Sequence, residues 1–179
     1  MPSRSGTLGY SLYELIITVA VVALVLTIGV PSFGKIVSDH RLKVEVDALF
    51  HAIHLARKES IVRRRAVTLC ASADGWNCVQ SFDWSNGWIM FVNLDRDAPA
   101  TRDLGEPLLQ QFAVSLHNEV VANRQSFSFR TTALRATNGT FIFCDKARRA
   151  APRALIVSYT GRPRVSRTDT RGRPYACAD

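Results

Sequence analysis

The chain is poor in cysteine, methionine and acid, and it has none of the short motifs that carry catalysis. Four cysteines in 179 residues are too few for a disulfide-dense miniprotein. None sits in a C-x2-C pair, so the common zinc spacings are absent. There is no nucleophile elbow, no phosphate-binding glycine loop and no paired-carboxylate motif. The sequence therefore reads as a non-enzyme without cofactor or metal. It has no internal repeat and no long low-complexity segment. Acid is scarce: 15 Asp+Glu stand against 23 Lys+Arg, a formal charge of +8. That balance disfavours acidic-surface roles and favours a polyanion or an anionic membrane as partner. With 47% apolar residues, the chain buries too much surface to be wholly disordered. Its length suits one domain plus an appendage.

What is present is concentrated at the two ends. Leu15 to Val30 reads LIITVAVVALVLTIGV, uncharged, with Thr18 and Thr27 as its only hydroxyls. With Tyr10 to Glu14 it makes 21 residues before Pro31, enough helix at ~1.5 Å per residue to cross a hydrocarbon core of ~30 Å. A cleaved secretory signal fits poorly, because Val30-Pro31-Ser32-Phe33-Gly34 is not a small-residue cleavage site. A plain anchor leaves Glu14 unexplained, since a carboxylate at the start of an apolar run is costly and marks a specific partner. A third reading accounts for it. Removal of a polar leader, Met1 to Gly9, puts a new amino terminus within about one helical turn of Glu14, where the two charges can pair between neighbouring subunits.

Gly9-Tyr10-Ser11-Leu12-Tyr13-Glu14-Leu15, followed by the apolar helix and Val30-Pro31-Ser32-Phe33, resembles a type IV pilin N-terminus. The resemblance implies a prepilin peptidase cut between Gly9 and Tyr10, N-methylation of Tyr10, and Glu14 as the assembly acid that neutralises a neighbour's terminal amine. It places a common helix kink at Pro31.

Past Pro31 the pattern turns amphipathic. Leu42, Val46, Leu49, Ile53, Ala56 and Ser60 step by alternating fours and threes, one face of a helix. His40, Arg41, Lys43, His51, His54, Arg57 and Lys58 fall largely off that stripe, and the helix is expected to end near Arg63-Arg64-Arg65, where basic residues suit the negative helix end. After it come short β-like runs: Ala66 to Cys70, Trp88 to Val92, Phe127 to Phe129, Thr140 to Cys144 and Ala154 to Tyr159. Ser72-Ala73-Asp74-Gly75 and Ser85-Asn86-Gly87 mark turns. A long helix followed by strands indicates α+β, the helix packed on an antiparallel sheet. The expected organisation is a leader over 1–9, a transmembrane and filament-core helix over 10–31, an amphipathic helix over 32–65, and a β-rich head over 66–179.

The run LARKESIVRRRAVTLC, then GWIMFV with an acidic loop, FIFCD and ALIVSYTGRPRV, resembles the minor-pilin group called GspH/FimT. This implies a pilin-like fold: a single-pass inner-membrane protein with a periplasmic head, then a subunit of an extracellular pilus among major and minor pilins. An even cysteine count on an exported head suggests two disulfides. Three pairings are open. Cys70–Cys78 with Cys144–Cys177 is favoured, closing one local loop and tying the chain end to a strand.

From Lys146 onward nine basic residues face two acids, Asp169 and Asp179. Eight of the nine are Arg: Arg148, Arg149, Arg153, Arg162, Arg164, Arg167, Arg171 and Arg173. Guanidinium offers a planar donor fork that engages phosphate bidentately. Gly161-Arg162-Pro163-Arg164 and Arg171-Gly172-Arg173-Pro174, with Gly and Pro interleaved, suggest an open loop, and Tyr175 is placed to stack on a base. FimT-like pilins are linked with DNA uptake, and the GRxR stretch is where this chain matches. The expectation is sequence-independent DNA binding through Arg162 and Arg164 first, then Arg167, Arg171 and Arg173, with Arg148, Arg149 and Arg153 in support. The alternative is a tip subunit that primes assembly of a type IV pilus or type II secretion pseudopilus, its Arg loop contacting other subunits.

Three further groups have blander readings. Asp95, Asp97, Pro99, Thr101, Asp103 and Glu106 space oxygens like a calcium loop, but Ala100 stands where the sharp turn wants Gly, so an acidic β-connection is expected. Asp47, His51 and His54 read as a surface helix face. Trp76, Trp84 and Trp88 read as core packing or a loop staple.

Overall fold

A computed structural model describes residues 11–130 and 135–177, without the side chains of 28–32. The expected leader Met1–Gly9, the Gly9–Tyr10 cut and the methylation site Tyr10 lie outside the described residues. The chain divides into two compact units, the first reaching Val37 and the second beginning at Ser38. One helix, α1 (Leu12–Arg63), belongs to both.

Ser11 caps the start of α1. Its hydroxyl accepts from the Glu14 N–H at 3.2 Å, and its carbonyl accepts the Leu15 N–H at 3.1 Å. Ser-x-x-Glu is the spacing of a capping box, and Glu14 also places negative charge at the positive helix end. The two hydroxyls of the apolar run are satisfied within the helix, Thr18 on the Leu15 carbonyl and Thr27 on that of Leu24, both at 2.8 Å. Leu12, Leu15, Ile16, Val19, Val22 and Leu26 are all exposed. Among the described residues no helix is long and apolar enough to cross a membrane.

In the second unit the stripe anticipated from the spacing is the buried one. Leu42, Val46, Leu49, Ile53, Ala56 and Ser60 are all essentially inaccessible to solvent. α1 ends where Arg64 takes a left-handed conformation, φ 53°, a stop more often made by Gly.

Among the described residues nine strands follow: β1 (Ala66–Ala71), β2 (Trp88–Asn93), β3 (Leu108–Phe112), β4 (Asn118–Ala122), β5 (Ser126–Arg130), β6 (Arg135–Ala136), β7 (Gly139–Asp145), β8 (Arg153–Val157) and β9 (Pro163–Ser166). They form two antiparallel sheets, ordered β3-β2-β1-β5-β6 and β4-β7-β8-β9. The core joins the helix stripe to Val67, Leu69 and Met90 of the first sheet and to Phe141, Phe143, Leu155 and Val157 of the second. Burying side chains of this size is the main favourable term in folding, about 1.5–3 kcal/mol each.

Strands β1 and β2 are buried on both faces. Their outward residues Cys70, Ile89 and Phe91 pack with Ala100, Cys78 and Leu108 in a second, smaller cluster. The Cys70–Cys78 disulfide, with Cα atoms 5.5 Å apart, closes the covering loop. In the acidic connection after β2, the Asp97 carboxylate accepts from Asn93 Nδ2 at 2.9 Å, the Thr101 N–H at 2.7 Å and the Thr101 hydroxyl at 2.6 Å. Buried Glu106 accepts the N–H of Leu94 at 2.6 Å and of Asp103 at 3.1 Å. These carboxylates fold their own loop. Trp84 and Trp88 belong to the core, whereas Trp76 is exposed beneath the Arg102 guanidinium, 5.9 Å from its ring centroid.

Candidate functional site

Arg162 and Arg164 flank the start of β9, the edge strand of the second sheet, and Arg167, Arg171 and Arg173 follow it in the chain. β8 leaves the core at Val157 and turns through Ser158–Arg162 into β9. The Gly161 N–H donates to the Ser158 carbonyl at 2.8 Å, the Ser158 N–H to the Arg162 carbonyl at 3.0 Å, and the Arg162 N–H to the Ser158 hydroxyl at 3.1 Å. Gly161 has φ 71°, and a Cβ there would stand 3.1 Å from both Ala136 and the Phe129 ring. Only glycine suits that conformation against those neighbours.

The expected open loop at Gly161-Arg162-Pro163-Arg164 is corrected by the structure: its second half begins the edge strand β9. Pro163 is the first residue of that strand and pairs with Val157, one of the few strand positions where a missing N–H is tolerated. Arg162 and Arg164 are exposed, and Arg164 stands opposite Ile156 in register.

After β9 the chain folds back as a small hairpin instead of an extended tail. Asp169 organises it. Its carboxylate accepts the N–H of Arg171 at 2.8 Å and of Arg173 at 2.9 Å, and Arg173 Nε donates to its second oxygen at 2.9 Å. The backbone N–H of Arg173 leads the donors that hold this carboxyl below its ordinary value, against a smaller opposing effect of burial. The Asp169 N–H returns a bond to the Arg173 carbonyl at 2.8 Å, and the Tyr175 N–H donates to the Arg167 carbonyl at 3.2 Å. Arg167 and Arg171 are exposed; Arg173 is exposed while ion-paired to Asp169. Tyr175 is partly covered. Beyond it, Cys177 is bonded to Cys144 of β7, Cα atoms 5.9 Å apart. The chain end is thus tied to a buried strand.

Arg148 and Arg149 occupy the β7–β8 turn, which is built on Asp145. Burial alone would raise this acid's pKa. The N–H groups of Arg149, Ala150 and Ala147 and the Ser38 hydroxyl outweigh that and hold it below the ordinary value. Both Arg side chains face solvent.

Arg153 does not belong with the others. Its Nη2 lies 2.8 and 2.9 Å from the two carboxylate oxygens of Asp39 on α1, and its side chain is only 12% exposed. This guanidinium, expected to support binding, ties β8 to the helix. The Arg153 hydrogen bond is the first reason that the Asp39 carboxyl titrates low. Burial opposes it, and the positive charges of Arg153, Arg167 and Lys43 add to the lowering.

The sequence alone does not single out Arg130, Arg135 and Tyr159. The Ala136 N–H donates to the Tyr159 carbonyl at 2.9 Å, which joins β6 of the first sheet to the β8–β9 turn of the second. The Arg135 guanidinium lies 5.5 Å from the Tyr159 ring centroid. Only the fold brings Arg130 and Arg135 against the β8–β9 turn, so no local motif announces them. Among the described residues there is no cluster of three or more His, Cys, Asp or Glu able to hold a metal ion.

Residues 45–161 match the family model described as "Type II transport protein GspH". The chain belongs to the GspH family. Solved structures agree in fold. The type IV minor pilin FimU of Pseudomonas aeruginosa strain PAO1 is 20% identical, with a TM-score of 0.52 over 71% of this chain and 89% of that one. The minor pseudopilin EpsH from the type 2 secretion system of Vibrio cholerae is 9% identical, with a TM-score of 0.52 over 70% of this chain and 96% of that one. No curated protein matches. The family model carries the membership, and the solved structures carry the fold. The family match stops at Gly161; Arg162, β9 and the disulfide-closed hairpin lie beyond it.

Proposed function

We propose that this minor pilin is incorporated in a type IV pilus and binds DNA without regard to sequence, for uptake, through the basic edge formed by Arg162, Arg164, Arg167, Arg171 and Arg173, with Arg148 and Arg149 beside it. The observation that carries the reading is the display of these residues. The first five stand exposed on an edge strand and a hairpin that Cys144–Cys177 fixes to the core, and the one described acid among them, Asp169, is engaged in building the hairpin. Phosphate contact by held guanidinium groups gives affinity with no base readout.

The same reading assigns the N-terminus. Prepilin peptidase cuts between Gly9 and Tyr10, Tyr10 is methylated, and Glu14 pairs with a neighbour's terminal amine as subunits leave the inner membrane for the filament. The exposed apolar side chains from Leu12 to Leu26, with both hydroxyls satisfied internally, support a lipid or filament-core setting for this stretch.

The test is DNA binding by the full chain in neutral detergent, on duplexes of unrelated sequence across a salt series, beside Arg162→Ala/Arg164→Ala. Four or five phosphate contacts predict a loss of a few hundred-fold between about 50 and 200 mM salt. Binding that ignores sequence, weakens so and collapses in the double variant supports the proposal. Absent binding, or binding untouched by the substitutions, overturns it in favour of a subunit that primes assembly without DNA.

A further inference from the structure

β5 and β6 end in an arrangement that costs stability as it stands. Arg130 and Arg135 are directly opposite each other in the antiparallel register, both exposed, and like charges so placed repel. Among the described residues neither forms an ion pair with a carboxylate. Arg57 lines a shallow hollow on one side of this pair. On the other side lies a concavity of about 320 Å³ lined by Ser128, Arg130, Arg135, Thr137, Asn138 and Tyr159. Its rim is rich in donors, and Arg135 is already steadied over the Tyr159 ring. A guanidinium held over a ring by cation–π attraction still has N–H groups to offer an anion. The concavity also adjoins the turn that leads into the basic edge described above. Tyr159 and Gly161 belong to the turn that delivers Arg162, and Ala136, next to Arg135, touches both.

We propose that the opposed guanidinium groups of Arg130 and Arg135, with Tyr159, form a phosphate seat that carries the DNA-binding surface from β9 across the β8–β9 turn onto the first sheet. The inference rests on the DNA-binding reading of Arg162 and Arg164. It identifies a backbone phosphate as the charge that relieves the Arg130–Arg135 repulsion, so the strand is held from both sheets at once.

The experiment compares the full chain with Arg130→Gln/Arg135→Gln and Arg130→Lys/Arg135→Lys in the same salt series. Losing this one phosphate contact should reduce the slope of log affinity against log salt by about 1 and weaken binding at low salt by tenfold or more. The Lys pair should keep most of the slope, because the charge remains. The melting temperature of the Gln pair should be unchanged or raised, since the repulsion is gone, which separates loss of binding from loss of fold. An unchanged slope in the Gln pair, with Arg162→Ala/Arg164→Ala still abolishing binding, overturns this seat and leaves the parent reading intact. No binding by the parent protein overturns both. A Gln pair that binds DNA normally but no longer co-purifies with neighbouring pilins assigns the cluster to an acidic protein partner and also overturns the proposal.

Discussion

Arg153 on β8 grips Asp39 on α1 with one nitrogen, Nη2, set 2.8 and 2.9 Å from the two carboxylate oxygens. The two residues are 114 positions apart, so the pair ties the second sheet to the helix. Arg153→Ala should lower the stability of the head by about 1–2 kcal/mol, because it removes a charged hydrogen bond from a mostly covered arginine. In melting temperature that is roughly 3–8 °C. Affinity for DNA at a temperature where the variant is folded should not change. A large loss of affinity with unchanged melting would return Arg153 to the binding surface.

The same pair has a pH signature. The Asp39 carboxyl titrates below its ordinary value in the fold, so its contribution is present above the ordinary carboxylate range and is lost as pH falls through the lowered value. The melting difference between the parent protein and Asp39→Asn should therefore be largest near neutrality and shrink in acid. Thermal melts taken in steps from neutral pH downward check it.

Glu45 behaves with the opposite sign. It sits buried on α1 with Oε1 accepting the Ser115 N–H at 2.8 Å. Burial pushes its pKa up, partly offset by hydrogen bonds to the charged form. A raised folded-state value favours the fold at low pH, and that contribution is lost as pH rises through it. Glu45→Gln removes the buried charge and keeps an acceptor for Ser115. It should stabilise the head near neutrality by about 1 kcal/mol. The advantage should fade toward the ordinary Glu range, as melts of both proteins at matched pH would show.

The parts legible in the sequence are those governed by local periodicity. Leu42 through Ser60 announce their buried face because a helix repeats it every three or four residues, and β1, β2 and β7 announce themselves as apolar runs. β3, reading LLQQF, is half-buried and half-polar, so it lacks that signal. β9 is hidden for a sharper reason. Pro163 and the flanking arginines read as loop, while the first position of an edge strand tolerates proline and its open side tolerates charge. The basic surface was visible in outline from composition. Two of its details needed the fold: Arg153 is claimed by an aspartate far upstream, and Arg130 and Arg135 come to the β8–β9 turn only through the pairing of Ala136 with Tyr159.

That contact makes Gly161 a sensitive position. Gly161→Ala demands φ near 71° of a residue with a Cβ, which would stand 3.1 Å from both Ala136 and Phe129. Backbone strain of this kind costs about 1–3 kcal/mol, and the adjustment falls on the turn that aims Arg162. The variant should lose stability and DNA affinity together, unlike Arg162→Ala, which should lose affinity alone. Melting curves beside binding curves for the two variants separate these outcomes.

The two disulfides should also separate. Cys144–Cys177 closes a span of 33 residues and Cys70–Cys78 one of 8. On the chain-entropy account they restrict the unfolded state by about 4 and about 2.5 kcal/mol. Their effects on binding should differ more. Cys144→Ser/Cys177→Ser releases the end of the Asp169 hairpin, and Arg167, Arg171 and Arg173 must then be ordered when DNA arrives. An ordering cost of about 0.5–1.5 kcal/mol per side chain predicts roughly a tenfold or larger loss of affinity. The salt slope should stay nearly the same, because the charges remain. Cys70→Ser/Cys78→Ser loosens only the cover over β1 and β2, so it should lower melting and leave affinity alone. Equal affinity losses from both variants would mean that general destabilisation, not the fixing of the hairpin, governs binding.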